Sequence, residues 1–505
     1  MAGLWGGRRQ DARKLVGVKS GAPGGNERRR GVRAGIVAMS SGKPEGAKVR
    51  QEDGYGKNRT EAMTETLREA KESGEVRARW AWAEPTIWTE RMLTTLEEGV
   101  KGGKWYSLFD KVYRKGNLEA GYVKVKANGG KPGIDRVTVE AYGQNKDKNL
   151  EWLASELVNG RYLPMANLRV DIPKPGSTEK RPLGIPTVKD RVAETALKNV
   201  IEPIFEKIFA KRSYGFRPNR GCKDALDEMN EWMMKGYMQV LEVDFRKYFD
   251  SVPRKPLVDR VAREIADGKV LTLIESYLKQ GVMQGMSEWT PEKGTPQGAV
   301  ISPLLGNIYL NDLDWKMERA GYVMIRYADD FVVLCRTAEE AVKALEMVKE
   351  WTIEAELQLH DDKTRIVDMN QPGNSFEFLG FHFERSRYND KINRWPRKGS
   401  MTKLKEKVRQ ITPRCNGHSM SQLAAKLNPI LRGWFQYFRS SKATTFTTVD
   451  GWIRMRLRSI LRKRANRRGR GRGRDHQRWP NAYFRELGLF SMYEAKAAYC
   501  QSVRR

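Results

Sequence analysis

The chain is short of the residues that build metal clusters and disulfides. Its 505 residues include four cysteines, Cys222, Cys335, Cys415 and Cys500, and four histidines, His360, His382, His418 and His476, all scattered. No C-x-x-C pair occurs, which excludes zinc-finger and zinc-dependent nuclease spacing. The cysteines therefore read as reduced, buried or inert thiols. No run of about eighteen uncharged apolar residues exists, so no segment is predicted to span a membrane. The N-terminus lacks the charged, apolar, small-residue order of a signal peptide; it is basic and acid-poor, a weak likeness to an organelle transit sequence. Acidic residues are the other shortage: 62 Asp and Glu face 93 Lys and Arg, a formal net charge of +31. A surplus this large repels itself and attracts polyanions, which makes nucleic acid the expected partner and demotes an acidic membrane surface to second place.

What is present is most informative at Tyr327-Ala328-Asp329-Asp330, where two adjacent carboxylates sit between the apolar runs Tyr322 to Arg326 and Phe331 to Cys335. That pattern predicts strand, tight turn, strand. Adjacent anions are costly to hold together unless a cation neutralises them, so the pair suits a hard divalent metal such as Mg²⁺; alone, it reads equally well as a polar turn. Upstream, Val240 to Phe245 alternates as a strand with Asp244 near its end, and Asp250 reads as a structural acid or helix cap before Ser251, Pro253 and Leu257. A strand-end Asp beside a hairpin carrying two more is the arrangement that holds two Mg²⁺ ions for in-line phosphoryl displacement, one activating a 3′-hydroxyl and one stabilising the leaving pyrophosphate.

The length allows two to four domains. Residues 1–50 carry twelve Lys or Arg, three acids and eleven glycines with almost no apolar period. Residues 1–79 are thus expected to be disordered, or an upstream stretch read in frame with translation starting at Met39 or Met63. The loop Gly129 to Asp135 is glycine-rich and reads as a turn rather than a phosphate cradle. From Asp171 to Phe383 short β-like runs alternate with helical ones, as in an α+β domain. Past Met401 the period is helical: Leu404, Val408 and Ile411 share a face, Leu423 and Leu427 another. Asn428-Pro429 is then expected to cap a new helix that buries Ile430, Trp434 and Tyr437, and a third follows with Ile453, Leu457, Ile460 and Leu461 on one side. From Arg454 to Arg474 eleven of twenty-one residues are Lys or Arg and none is acidic. Gly469 to Gly473 suggest a flexible loop that folds onto RNA, with Trp479, Tyr483 and Phe484 as stacking surfaces.

The successive blocks Asp244-Phe245-Arg246-Lys247-Tyr248-Phe249-Asp250, Gly294-Thr295-Pro296-Gln297-Gly298 with Ser302 to Leu305, and Tyr327 to Asp330 resemble a reverse transcriptase in order and content. Arg181 to Pro186 and Ser213 to Pro218 upstream, with Leu359, Lys363-Thr364 and Phe378 to Phe381 downstream, are similar to group II intron-encoded reverse transcriptases. Leu431 to Phe438 resembles the thumb, or maturase, region of that family. The resemblance spans roughly residues 105 to 490. It implies an α+β right-hand polymerase, fingers and palm with antiparallel sheet over 80–383, followed by an α-helical thumb/maturase domain over 384–505. It implies RNA-directed DNA synthesis from dNTP substrates on an RNA template and DNA primer or target, with Mg²⁺ (two ions) on Asp244, Asp329 and Asp330. Lys363 would be a general acid toward pyrophosphate, or else a salt-bridge partner of Asp361 or Asp362. Arg181, Lys189 and Arg191 would face the triphosphate, and Gln297 would contact the nucleotide while Gly298 lets the template base pair approach. Phe249 would stack under the incoming sugar and reject a 2′-hydroxyl, or else be core. Gly380, Arg432 and Trp434 would meet primer and template. As a maturase the protein would bind group II intron RNA without cutting it. The missing Cys and His pairs imply no target-strand endonuclease, with priming from an existing 3′ end. Placement is expected in the bacterial cytoplasm, with nucleoid association, rather than an organelle. A splicing-only cofactor, a retron or diversity-generating reverse transcriptase, and a basic RNA chaperone are the alternatives.

Overall fold

The computed structural model describes residues 76–173, 180–285, 287–471 and 473–504, all within one compact unit, Thr66–Arg505. The expectations for the basic N-terminal segment up to residue 75 lie outside the described residues. Among the described residues no helix is long and apolar enough to cross a membrane.

Three sheets organise the unit. The first joins β1 (Asn167–Pro173), β2 (Lys180–Ile185), β4 (Val282–Gln284) and β5 (Ser287–Trp289) in the order β2-β1-β4-β5. The second joins β3 (Gln239–Val243), β6 (Val323–Tyr327), β7 (Asp330–Cys335) and β8 (Arg365–Asp368) in the order β6-β7-β3-β8, every pair antiparallel. The third is a meander of β9 (Ser375–Phe378), β10 (Phe381–Arg385) and β11 (Ile392–Pro396).

The second sheet is buried on both faces, which explains why its strands read as nearly unbroken apolar runs. Leu241, Val243, Met324, Phe331, Val333 and Cys335 point into the larger core, against the helices Ser302–Arg319 and Ala338–Glu354. Their alternates, Val240, Val323, Ile325, Val332, Leu334 and Val367, point into a second core with Met229 and Met233 of the Cys222–Met234 helix and the phenylalanines of β9 and β10. This period of two fixes the register, because a slip of one residue would exchange the faces.

The C-terminal helices depart from expectation at one point. Asn428-Pro429 does not open a helix; Met420–Phe438 runs through it, capped at Ser419 by a reciprocal box with Gln422. The apolar period continues at Leu423, Leu427, Leu431 and Phe435, and these are the buried positions, whereas Ile430 and Trp434 are half-buried and Tyr437 is 42% exposed. Asn428 serves elsewhere: its side chain donates to the Gly488 carbonyl and accepts from Phe490 N, both at 2.8 Å. The helix Ala443–Arg464 buries Ile453, Leu457 and Ile460 as expected. Phe484 is core, not a stacking surface, and Trp479 and Tyr483 pack against the same core. Gly471 is packed too: a β-carbon there would stand 2.6 Å from Arg458 Cβ, so the chain at Gly471 itself lies against the helix.

The second sheet is tied to the larger core by Arg326, a charged residue inside β6. Its side chain is fully buried and forms a two-point ion pair with Asp314, Nε to Oδ1 at 2.7 Å and Nη2 to Oδ2. Nη1 donates to Asn307 Oδ1 at 2.8 Å and to the Ala328 carbonyl at 2.9 Å. Removing one member of so buried a pair strands the other charge. Asp314→Ala is therefore expected to lower unfolding free energy by about 3–5 kcal/mol, and the double replacement Arg326→Met with Asp314→Leu by less than either single change, as measured by urea denaturation.

Candidate active site

β6 and β7 form the expected hairpin. Tyr327 pairs with Asp330, leaving Ala328 and Asp329 as a two-residue turn in which Ala328 has φ +61°. β3 runs antiparallel to β7 with Val243 opposite Phe331, so Asp244 emerges beside the turn. The chain then stays paired, His360 N donating to the Asp244 carbonyl at 2.8 Å and Phe245 bridging Leu359. That pairing brings Lys363 back to the site, where Nζ donates to Asp244 Oδ2 at 2.6 Å. Lys363 therefore pairs with Asp244 rather than Asp361 or Asp362, and Asp361 takes Arg246 at 2.7 Å instead.

The electrostatics match a site that needs positive charge. Asp329 is pushed above the ordinary carboxylate range by burial and by Asp244, with Arg181 and Arg326 pulling the other way. Asp330 is pushed up to about 7, first by desolvation and then by Asp329, Asp244 and Glu242. Its side chain is still open to solvent on one side, so the neighbouring carboxylates are the part of this rise that a cation would relieve. Among the described residues no three His, Cys, Asp or Glu side chains already enclose an ion site. Oxygen donors that crowd each other, one already neutralised by an ammonium, fit Mg²⁺, which takes one or two carboxylates and completes its shell with water and substrate phosphate.

On one flank a relay joins the first sheet to the short helix Tyr248–Ser251. Arg181 Nε reaches Gln297 Oε1 at 3.4 Å, and Gln297 Nε2 donates to Asp250 Oδ1 at 2.9 Å. Asp250 is thus a structural acid that orients Gln297, not a cap. Gly298 (φ +111°) leaves room for the Gly184 carbonyl of β2, which a β-carbon would strike, and Gly184 N donates to the Gln297 carbonyl at 2.6 Å. The room that Gly298 leaves is thus used at least in part by the protein's own backbone. Phe249 is half-buried, and the Cβ position at Gly306 lies 3.2 Å from its ring.

Other expected contacts lie elsewhere. Lys189 stands over the Trp152 ring at 5.3 Å. Arg191 donates to the Gly129 and Lys131 carbonyls at 3.2 and 2.9 Å, fastening the glycine-rich turn, and lines a cleft of about 160 Å³ with Lys124, Lys198 and Glu202. Of the three cations expected at the triphosphate, Arg181 alone touches Gln297 and acts on Asp329. Trp434 is a packing residue, its ring 4.8 Å from Phe438 and 6.1 Å from Phe446, and exposed Arg432 covers Phe490 at 4.5 Å. Gly380 (φ +79°) sits with Leu379 (φ +47°) in the β9–β10 turn, pinned by Tyr437 Oη to the Leu379 carbonyl at 2.9 Å and by Arg397 N to the Gly380 carbonyl at 2.9 Å. Of the cysteines, Cys335 is buried but Cys415 and Cys500 are exposed. On the helical part, Lys405, Arg409 and Arg456 surround the Trp452 ring at 5.9, 5.8 and 5.5 Å.

Two supporting residues escaped the sequence reading, Arg326 and Glu194. Glu194 is fully buried, and its Oε2 accepts from Val300 N and, at 3.3 Å, from Ile301 N, anchoring the segment after Gln297 to the Val188–Ile208 helix. The signal was a charge inside an apolar run in both cases, Arg326 in Val323 to Tyr327 and Glu194 in Val192 to Leu197.

Residues 172–383 match the family model described as reverse transcriptase (RNA-dependent DNA polymerase), and 401–479 match that of the group II intron, maturase-specific domain. Protein YkfC of Escherichia coli (strain K12) is 30% identical over 356 residues, 62% of this chain and 88% of that protein. Group II intron-encoded protein LtrA of Lactococcus lactis subsp. cremoris is 35% identical over 182 residues, 36% of this chain and 30% of LtrA. A 91 kDa protein in the cob intron of Schizosaccharomyces pombe is 34% identical over 204 residues, 39% of this chain and 24% of that protein. Fold and site thus define a reverse transcriptase. The chain belongs to the group II intron-encoded reverse transcriptase/maturase family.

Burial first and Asp190 second leave Glu194 pushed up to about 8, against the opposing pull of the Val300 and Ile301 N–H donors and of Arg191. Since folding favours its protonated form, the unfolded chain releases that proton first, and stability falls as pH rises from the ordinary carboxylate range toward 8. Glu194→Gln removes this dependence. The melting temperature of the variant is therefore expected to gain on the wild type between about pH 5 and pH 8 and to level off above that.

Proposed function

We propose that this protein is an RNA-directed DNA polymerase that also binds group II intron RNA as a maturase and supports intron mobility by target-primed cDNA synthesis. The observation that carries the reading is the convergence of Asp244 with Asp329 and Asp330 at one sheet edge, Lys363 on one side and the Arg181–Gln297–Asp250 relay on another. Asp244, Asp329 and Asp330 would hold two Mg²⁺ ions, which supply activation of the 3′-hydroxyl and charge neutralisation at the leaving pyrophosphate. Arg181 and Gln297 orient the dNTP phosphates and base, and the half-buried Phe249 ring crowds the 2′ position of the sugar. Lys363, whose Nζ lies 2.6 Å from Asp244 Oδ2, would carry the proton for the leaving group.

The maturase side rests on charge. The basic run Arg454 to Arg474 and the three cations around Trp452 repel one another, and phosphates of a folded intron RNA relieve that repulsion. The match over 401–479 favours this branch over a retron or diversity-generating enzyme, and over a chaperone that would leave the carboxylates idle. A splicing-only maturase would retain the same fold without using the carboxylates.

Replacing both Asp329 and Asp330 by Ala separates these readings. Primer extension on an RNA template is expected to fall about a hundred-fold or more, while splicing of the cognate intron stays within a few-fold of wild type; equal cDNA yield from the variant would refute the site. Phe249→Val is expected to raise rNTP incorporation relative to dNTP about ten-fold or more, measured as the ratio of kcat/KM values.

A further inference from the structure

We propose that Phe216, together with Tyr327, forms an aromatic seat for the 3′-terminal nucleotide of the primer strand. The inference rests on the polymerase reading above and names a residue to which that reading gives no task. Phe216 is a large apolar side chain, 51% exposed, held at φ +58°, a backbone conformation that side chains other than Gly, Asn and Asp rarely adopt. Neither property suits a residue whose only task is packing.

The backbone around it is fixed from both sides. Arg217 is buried and donates to Glu206 Oε2 and Oε1 at 2.8 and 2.7 Å and to the Ala210 and Ser213 carbonyls at 2.6 and 2.7 Å. On the other side Tyr214 N donates to the Arg326 carbonyl at 2.8 Å, and Asn307 Nδ2 donates to the Gly215 carbonyl at 2.7 Å. Gly215 lies so close over the hairpin that a β-carbon there would collide with Ala328 N. Rigid anchors thus present the Phe216 ring to solvent beside the catalytic turn, 6.4 Å from the Tyr327 ring and inclined at 43° to it. Strain maintained this way belongs to sites where a side chain must be held in one place.

Position identifies the occupant. The nucleotide flank of the turn belongs to Arg181, Gln297 and Asp250. The Tyr327 flank leads away from it: the Tyr327 and Tyr437 hydroxyls both lie against the Cys222 thiol, and Tyr437 continues to the Leu379–Gly380 turn. In-line attack requires the primer 3′-hydroxyl beside Asp244, Asp329 and Asp330, so the last primer nucleotide lies along the flank that carries Phe216 and Tyr327. An aromatic ring there holds the nucleotide by stacking on its base or sugar, a contact tolerant of sequence as a polymerase requires.

The test uses Phe216→Asn and Phe216→Trp in the full chain. Asparagine accepts the left-handed backbone, so Phe216→Asn should melt no lower than the wild type while losing the ring. Binding of a labelled RNA–DNA duplex with a recessed DNA 3′ end, measured by fluorescence anisotropy without dNTP, is expected to weaken roughly ten-fold. KM for the primer-template should rise in parallel, KM for dNTP should stay unchanged, and Phe216→Trp should restore both binding and KM. Equal duplex affinity for Phe216→Asn and wild type would overturn the inference, as would a drop in melting temperature with both KM values rising together, which marks packing. Absence of extension by the wild type would count against the polymerase reading instead, and the binding measurement would still decide the role of Phe216.

Discussion

The buried ion pair between Arg326 and Asp314 is the constraint on which the site depends. One guanidinium reaches Asp314 and Asn307 on the Ser302–Arg319 helix and the carbonyl of Ala328 in the hairpin turn. The backbone of the same residue pairs with β7 and bonds to Arg212 and Tyr214. Two buried charges are costly to desolvate, and only good geometry with every donor engaged offsets that cost. The pair therefore contributes position more than stability: helix, hairpin and the Tyr214–Arg217 loop can meet in one way.

Within that frame the site accumulates arrangements that are unfavourable locally. Lys247, Ala328, Leu379 and Phe216 all adopt positive φ without being glycine. Asp329 and Asp330 are raised above the ordinary carboxylate range, first by desolvation and then by the neighbouring carboxylates. Such features persist only where the surrounding packing over-determines them. The sheet behind the turn, apolar on both faces, supplies that packing and leaves the tip short of positive charge. Carboxylates crowded together in this way favour a cation, because positive charge relieves their mutual repulsion.

Much of this was legible in the sequence, for reasons visible in particular residues. The hairpin announced itself because a two-residue turn flanked by apolar runs permits few other conformations. The apolar period of the last helices was readable at Leu404, Val408, Ile453 and Leu457, which the structure buries. Pro429 misled, because proline normally starts a helix, whereas here the Ser419–Gln422 box had already started one and tertiary bonds from Asn428 hold the chain through it. Trp434 and Arg191 make contacts that their motifs do not announce. A motif fixes residue identity, and the direction of a side chain depends on what lies three or four residues away in space.

The sequence by itself determined the order of the motifs, the alternation of strands and helices, the acids at the hairpin tip and the excess of positive charge. Each is a local or compositional property, set by periods of two and 3.6 residues and by simple electrostatics. Tertiary structure alone decided that Lys363 meets Asp244, that Gln297 is held by Asp250 and Arg181, and that Glu194 anchors the segment following Gln297. It also decided that Phe216 faces solvent beside the turn. These pairs are separated by 47 to 119 positions along the chain where the carboxylates and Gln297 are concerned. Their meeting depends on how sheets and helices pack across distances that no local pattern encodes.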